Sequence, residues 1–203
     1  METKISKCVV ADSSFYCCYD SDIKKREFLL NCLRIYQFFI GNKIRSELPP
    51  ALTDSTEFLN SVGIIEENFF ELIRPFFNRS NKHKDDGEYE AIGIAYYINE
   101  NFDLKYLIID DIIAYKFTVR HFPILAQKMT RTIGFVKKCC YEDKAISPDL
   151  AIEILEAMRQ SFQNMQSQSD LKRRPCSLDQ NIHDKILIPL ISQIKEDYKY
   201  GRI

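Results

Sequence analysis

The sequence contains no tryptophan and only six glycines in 203 residues, and no two glycines form a G-x-G or P-loop arrangement. A phosphate-cradling loop needs closely spaced glycines so that backbone N–H groups can approach the anion, so a nucleotide-binding loop of that kind is excluded. Histidine is also scarce. His83, His121 and His183 stand apart from one another and from any serine or cysteine at a catalytic spacing, so nothing favours a Ser/His/Asp or Cys/His nucleophile. Seven cysteines are present (Cys8, Cys17, Cys18, Cys32, Cys139, Cys140 and Cys176), an odd number with no C-x-x-C and no Cys/His pair at zinc spacing. Reduced, mostly buried thiols in a cytoplasmic protein are expected, rather than a disulfide framework or a structural zinc. No apolar run reaches the ~18 residues of a membrane span, and the polar start METKISK does not read as a signal peptide. Neither charge sign dominates: 28 Lys and Arg against 29 Asp and Glu leave −1. That balance argues against a strongly basic nucleic-acid platform but leaves room for local basic patches.

With 45% hydrophobic and 28% charged residues, the chain can build a sizeable core. KCVVAD (7–12) is a short β-branched apolar run that reads as a buried strand, and KYLIIDD (105–111) is a second. Near-helical spacing over 20–40 predicts one long helix stopped by Gly41 and Asn42. KIRSEL (43–48) and PILAQK (123–128) read as short strands. Further helices are expected over 51–60, 66–77, 88–101, 132–141 and 148–165, with one more carrying Ala114, Phe117 and Val119. Residues 78–87 read as a polar loop. A polar stretch over 166–177 reads as a linker, before an amphipathic helix from 178 to the end in which Pro189 predicts a kink. Strands alternating with helices point to an α/β fold with a mainly parallel sheet.

Two apolar strands end in acid, the first at Asp12 and the other at Asp110 and Asp111. Parallel sheets place ligands beyond the carboxyl ends of their strands. Neighbouring strands would bring three carboxylates to one spot, where only a cation offsets their repulsion. Oxygen ligands without His or Cys favour Mg²⁺ or Mn²⁺. A simpler account exists for each acid. Asp12 and Asp111 suit helix N-caps, and Glu88 and Glu90 fall in the first turn of a helix, where the macrodipole favours acids.

Taken together, VVADSS (9–14), GEYEAIGIA (87–95) and LIIDDIIAYK (107–116) resemble the PIN-domain family, and within it the toxin-like ribonucleases of the VapC type. The resemblance covers residues 7–162. It implies a three-layer α/β/α sandwich around a mostly parallel sheet, and an acidic pocket that holds Mg²⁺ or Mn²⁺ and hydrolyses RNA phosphodiester bonds. Residue by residue, it implies Asp12, Glu90 and Asp111 as catalytic, with Asp12, Glu57, Glu88, Glu90, Asp110 and Asp111 as metal ligands. Glu57 stands for the acid on the helix after the second strand, with Asp54 as its alternative. Where the family often shows Thr-Gly after the last strand, this chain has TRTIG (130–134).

Substrate contact is expected from Ser13, beside the first ligand, and from Lys116 and Arg120, whose i, i+4 spacing puts both on one helix face. Other basic runs, at Lys24–Lys25–Arg26 and Lys82–His83–Lys84, are the usual solvated faces. The expected organisation is a nuclease domain over 1–165, a linker over 166–177 and a C-terminal helix over 178–203. The expected function is a metal-dependent endoribonuclease with RNA as substrate, as in the toxin of a toxin–antitoxin pair. The resemblance implies a homodimer and an antitoxin or other inhibitor protein as partners. The alternative is a PIN-fold RNA-binding or protein-interaction module without catalysis.

Overall fold

The computed structural model describes residues 7–76, 86–166 and 175–203. Five short strands, β1 (Cys8–Ala11), β2 (Gln37–Gly41), β3 (Val62–Ile65), β4 (Leu104–Ile108) and β5 (Met129–Thr130), form one sheet in the order β3-β2-β1-β4-β5. Every pairing is parallel. Helices cover both faces, so the protein is a three-layer α/β/α sandwich with a mainly parallel sheet, as expected. β1 is buried at all four residues, as a central parallel strand covered on both faces must be, which is why it reads as an unbroken apolar run.

The chain steps outward from β1 through β2 to β3, then returns through α7 (Asp86–Asn101) to β4 on the other side of β1. α7 packs across β1, β2 and β4. The direction of strand addition therefore reverses between β1 and β4. In open α/β sheets the crevice at such a switch point is where ligands bind.

The predicted helix over 20–40 is three elements. After α1 (Ser13–Cys17), which precedes that span, come a π-turn (Cys18–Asp22), α2 (Arg26–Ile35) and β2. Tyr36 turns to extended geometry (φ −117, ψ 149). The Phe38–Ile40 run then has no helical face to fill, because both sides of β2 are needed for packing. Apolar runs this dense do not separate helix from strand by periodicity.

KIRSEL is a helix, α3 (Asn42–Glu47), and the 51–60 helix is two short ones, α4 (Pro50–Thr53) and α5 (Thr56–Ser61). β3 falls where the sequence suggested only a connection. The helix expected over 66–77 shrinks to α6 (Phe70–Ile73) and a 3₁₀ turn. After α8 (Ile112–His121), PILAQK forms a one-turn helix, α9 (Pro123–Ala126), with Pro123 at its first position, where no N–H is needed. The fifth strand lies just beyond it.

α10 (Thr132–Tyr141) and α11 (Pro148–Gln166) stand as predicted. A 3₁₀ turn (Pro175–Ser177), α12 (Gln180–Ile182), a second π-turn (His183–Leu187) and α13 (Ile188–Lys199) end the fold. Pro189 cannot donate to the carbonyl four residues earlier, and the chain widens into the π-turn just ahead of it. α13 folds back on α11 and buries Leu190, Ile191 and Ile194. The aromatic residues are mainly core: Phe15 stacks on Phe38 at 5.5 Å, and Phe135 meets Phe15, Phe38 and Tyr106 edge-on.

Candidate metal centre at the carboxyl edge of the sheet

Asp12 follows β1 directly and is fully buried. One carboxylate oxygen accepts the Phe15 N–H at 3.1 Å and caps α1. The other accepts the Asp110 N–H at 3.0 Å, across the switch point. The capping role expected of a lone Asp is therefore real, and the same side chain also ties the two acidic strand ends together. Asp110 is buried as well. Its carboxylate accepts the Thr132 N–H at 3.0 Å and the Thr132 hydroxyl at 2.5 Å. Arg131 lies 3.5 Å from it through Nε, and Arg131 Nη2 donates to the Asp110 carbonyl at 2.7 Å.

Burial, then the charge of Asp110, holds the Asp12 carboxyl well above its ordinary range. Glu88 pushes the same way. Burial likewise raises Asp110, against the opposing pull of Thr132 and Arg131. Among the described residues these two buried acids have one nearby cation, Arg131, and a divalent ion would offset the remaining charge.

A cleft of about 500 Å³ opens beside this pair; Asp110 lines it, and the fully buried Asp12 lies behind Asp110 without lining it. Ser14, Glu88, Asp110, Asp111, Ile112 and Arg131 line the cleft, joined by Ser177, Asp179, Asn181 and Ile182 of the C-terminal extension. Asp111 lies at the rim, where one oxygen accepts the Ile113 and Ala114 N–H groups at 2.8 and 2.7 Å and caps α8. Among the described residues neither Cys nor His lines the cleft. The donor set is hard oxygen and suits Mg²⁺ or Mn²⁺.

Several expected site residues are placed elsewhere. Glu90 is buried, but its carboxylate accepts the Ile44 N–H at 2.8 Å and a Lys43 backbone N–H, capping α3 from outside. Burial raises its pKa, partly countered by those N–H groups and Lys43. A Cβ on Gly41 would run into this carboxyl group, so glycine there makes room for the cap. Glu57 sits in the first turn of α5, ion-paired with Arg34 at 2.9 Å, in a separate surface depression with Glu27 and Asn31. Asp54 is exposed beyond α4. Ser13 is buried and donates to Glu47 at 2.5 Å instead of facing the cleft. Lys116 and Arg120 are exposed on α8, and neither lines the cleft. Lys82, His83 and Lys84 lie outside the described residues. Lys25 and Arg26 are ion-paired with Glu153 and Asp20.

The acid that the second strand does supply is Glu47, the last residue of α3. It accepts from Ser13 and, at 3.1 Å, from the Gly87 N–H, where a Cβ would run into it. Reading KIRSEL as a strand hid it. Arg131 and Thr132, in the TRTIG segment, were also missed. Their only signal was a position immediately after a strand, the same one that marked Asp12 and Asp110. Comparisons of the chain with protein-family models, with characterised proteins and with solved structures give no match. Among the described residues no helix is long and apolar enough to cross a membrane.

Proposed function

We propose that the chain is a metal-dependent phosphodiesterase acting on RNA, an endoribonuclease. The observation that supports this most is the linked burial of Asp12 and Asp110 at the switch point, with Asp110 lining an open cleft and, among the described residues, Arg131 as the cation beside it. Asp12 and Asp110 would hold Mg²⁺ or Mn²⁺, with Glu88 and Asp111 completing the oxygen set at the cleft wall. When bound, such an ion neutralises phosphate oxygens and lowers the pKa of a coordinated water, so no nucleophilic side chain is required. Thr132 and the Phe15 N–H fix the carboxylates. Glu47, held by Ser13 and Gly87, secures α1 against α7. Among the described residues Arg131 is the cation that lines the cleft, and it would meet a phosphate that the acids repel. RNA as the substrate, a homodimer and an inhibitor protein follow the resemblance to the toxin-like branch.

A second reading, a binding module without catalysis, has one observation in its favour. Asp111 and Glu90, both expected at the metal, serve as helix caps. Asp110→Asn separates the two. An amide can accept the Thr132 N–H and donate to the Thr132 hydroxyl, so the fold is kept while a charge is removed. Calorimetric Mn²⁺ titration should show affinity lower by at least the ~10–100-fold that even outer-shell changes cost, and RNA cleavage should be lost. Unchanged Mn²⁺ affinity in the variant would remove the site. Mn²⁺ binding by the parent chain with no product from a mixed RNA panel would select the module.

A further inference from the structure

Away from the carboxylate pocket, one group of side chains has no part in it. Cys18, Asp22 and Cys176 each place a ligand atom so that all three lie within 4.8 Å of one another. Two of them come from the π-turn after α1, where the Ile23 N–H donates to the Cys18 carbonyl at 3.0 Å in the i, i+5 pattern. That wider turn brings Cys18 and Asp22, four apart, to the same side. Turns of this kind recur at functional sites. The third ligand comes from the far end of the chain, 154 residues after Asp22.

The turn that delivers Cys176 takes an unusual path. Cys176 and Ser177 both adopt left-handed φ, 50 and 51, a conformation that L-residues avoid unless the surroundings enforce it. Here the enforcement is visible: the Cys176 N–H donates to Asp22 Oδ2 at 2.6 Å, and Arg131 Nη2 reaches the Ser177 carbonyl at 3.5 Å. Ser161 Oγ also donates to the Asp22 carbonyl at 3.1 Å, fixing the π-turn from α11. Cys18 and Cys176 are buried, and Asp22 is only half-buried. The group is therefore open to a cation on the Asp22 side.

We propose that Cys18, Asp22 and Cys176 form a second metal site, for a thiophilic divalent cation such as Zn²⁺, that ties the C-terminal extension to α1. Around tetrahedral zinc, thiolates bound at ~2.3 Å stand ~3.8 Å apart, a separation side-chain adjustment reaches from the present spacing. Binding forms two metal–sulfur bonds and one metal–oxygen bond and releases the two thiol protons to solvent. A fourth position remains for water. Two thiolates select Zn²⁺ or Co²⁺ over Mg²⁺, whereas the all-oxygen cleft selects the reverse, so the sites divide by ligand softness. The anchored turn leads directly into Asp179 and Asn181 in the cleft wall. The cation therefore holds that wall in place, and this inference does not depend on what the cleft does.

Cobalt is the probe, because thiolate ligation gives near-ultraviolet charge-transfer absorption that oxygen ligation does not. The full chain is titrated with Co²⁺ under a non-chelating phosphine reductant, and Zn²⁺ is then used as competitor. One equivalent should produce the band, and Zn²⁺ should bleach it. Cys176→Ser should abolish it and Asp22→Asn should weaken it at least tenfold, while Asp12→Asn leaves it intact. If Cys176→Ser fails to fold, Asp22→Asn alone carries the test, since an amide still accepts the Cys176 N–H. No band in the parent chain, or a band that survives Cys176→Ser, overturns the proposal. So does a mass two hydrogens lighter, lost in Cys176→Ser, in protein purified without reductant and metal, because the pair would then be a disulfide.

Discussion

The two edges of the same sheet each bury carboxylate, and they treat it in opposite ways. At the amino edge, Asp143 accepts the Tyr36 hydroxyl at 2.5 Å and the Tyr106 hydroxyl at 2.9 Å, with Lys105 in direct contact and Lys7 at 3.7 Å. Burial alone would raise its pKa, but Lys105 and the two phenols outweigh burial and hold it below the ordinary carboxylate range. At the carboxyl edge Asp12 and Asp110 are more deeply buried than Asp143, and their pKa values are pushed up. Burial opposes ionisation at both edges, more strongly at the carboxyl edge, and the partners around each acid decide the outcome. Among the described residues, cationic and phenolic partners outweigh burial at the amino edge and do not at the carboxyl edge.

Removing the balanced acid should have the largest effect. Asp143→Ala leaves two phenols and a lysine without their acceptor and should cost about 3 kcal/mol in urea unfolding, unchanged by Mn²⁺. A loss below about 1 kcal/mol would mean that the amino-edge network is ornamental, and the comparison would collapse.

The next effect is one of pH, and its sign differs between the edges. Asp143 has a lowered folded pKa, so its stabilisation is present above the unfolded carboxylate value and is lost as pH falls through the folded one. Asp12 and Asp110 have raised folded pKa values. The native state there keeps protons the unfolded chain has released, so stability falls as pH rises above the ordinary carboxylate range. At pH 7 without metal, Asp110→Asn should therefore be more stable than the parent, on the order of 1 kcal/mol. The gap should close toward pH 4 and reverse under saturating Mn²⁺. Equal stabilities at both pH values would show that the charge at the carboxyl edge is balanced after all.

The smallest effect sharpens the assignment of acids. Glu57 pairs with Arg34 at the surface, and Glu57→Gln should shift stability by less than about 0.5 kcal/mol with Mn²⁺ affinity unmoved. A drop in affinity would return Glu57 to the metal site.

Much of this arrangement was legible from sequence wherever local pattern and tertiary demand coincide. β1 and β4 are central strands, so their apolar runs are continuous, and the acids after them fall at the edge where parallel sheets bind ligands. Asp12 and Asp110 were found for that reason. The edge strands were harder to read. β5 is two residues long and has no pattern of its own, and β3 is revealed only by its pairing with β2. α3 forms where Glu90, more than 40 residues away, supplies the missing cap through space allowed by Gly41. No local signal marks that helix, so Glu47 could not be found.

By itself, then, the sequence determined the class of fold, the two central strands and the acids that end them, because hydrophobic burial and strand termination act over a few residues. Tertiary structure decided which acids serve as caps and which face the cleft, and it brought Cys176 to Cys18 and Asp22. Those outcomes rest on hydrogen bonds and charges between residues far apart in the chain, and only the folded geometry selects among them.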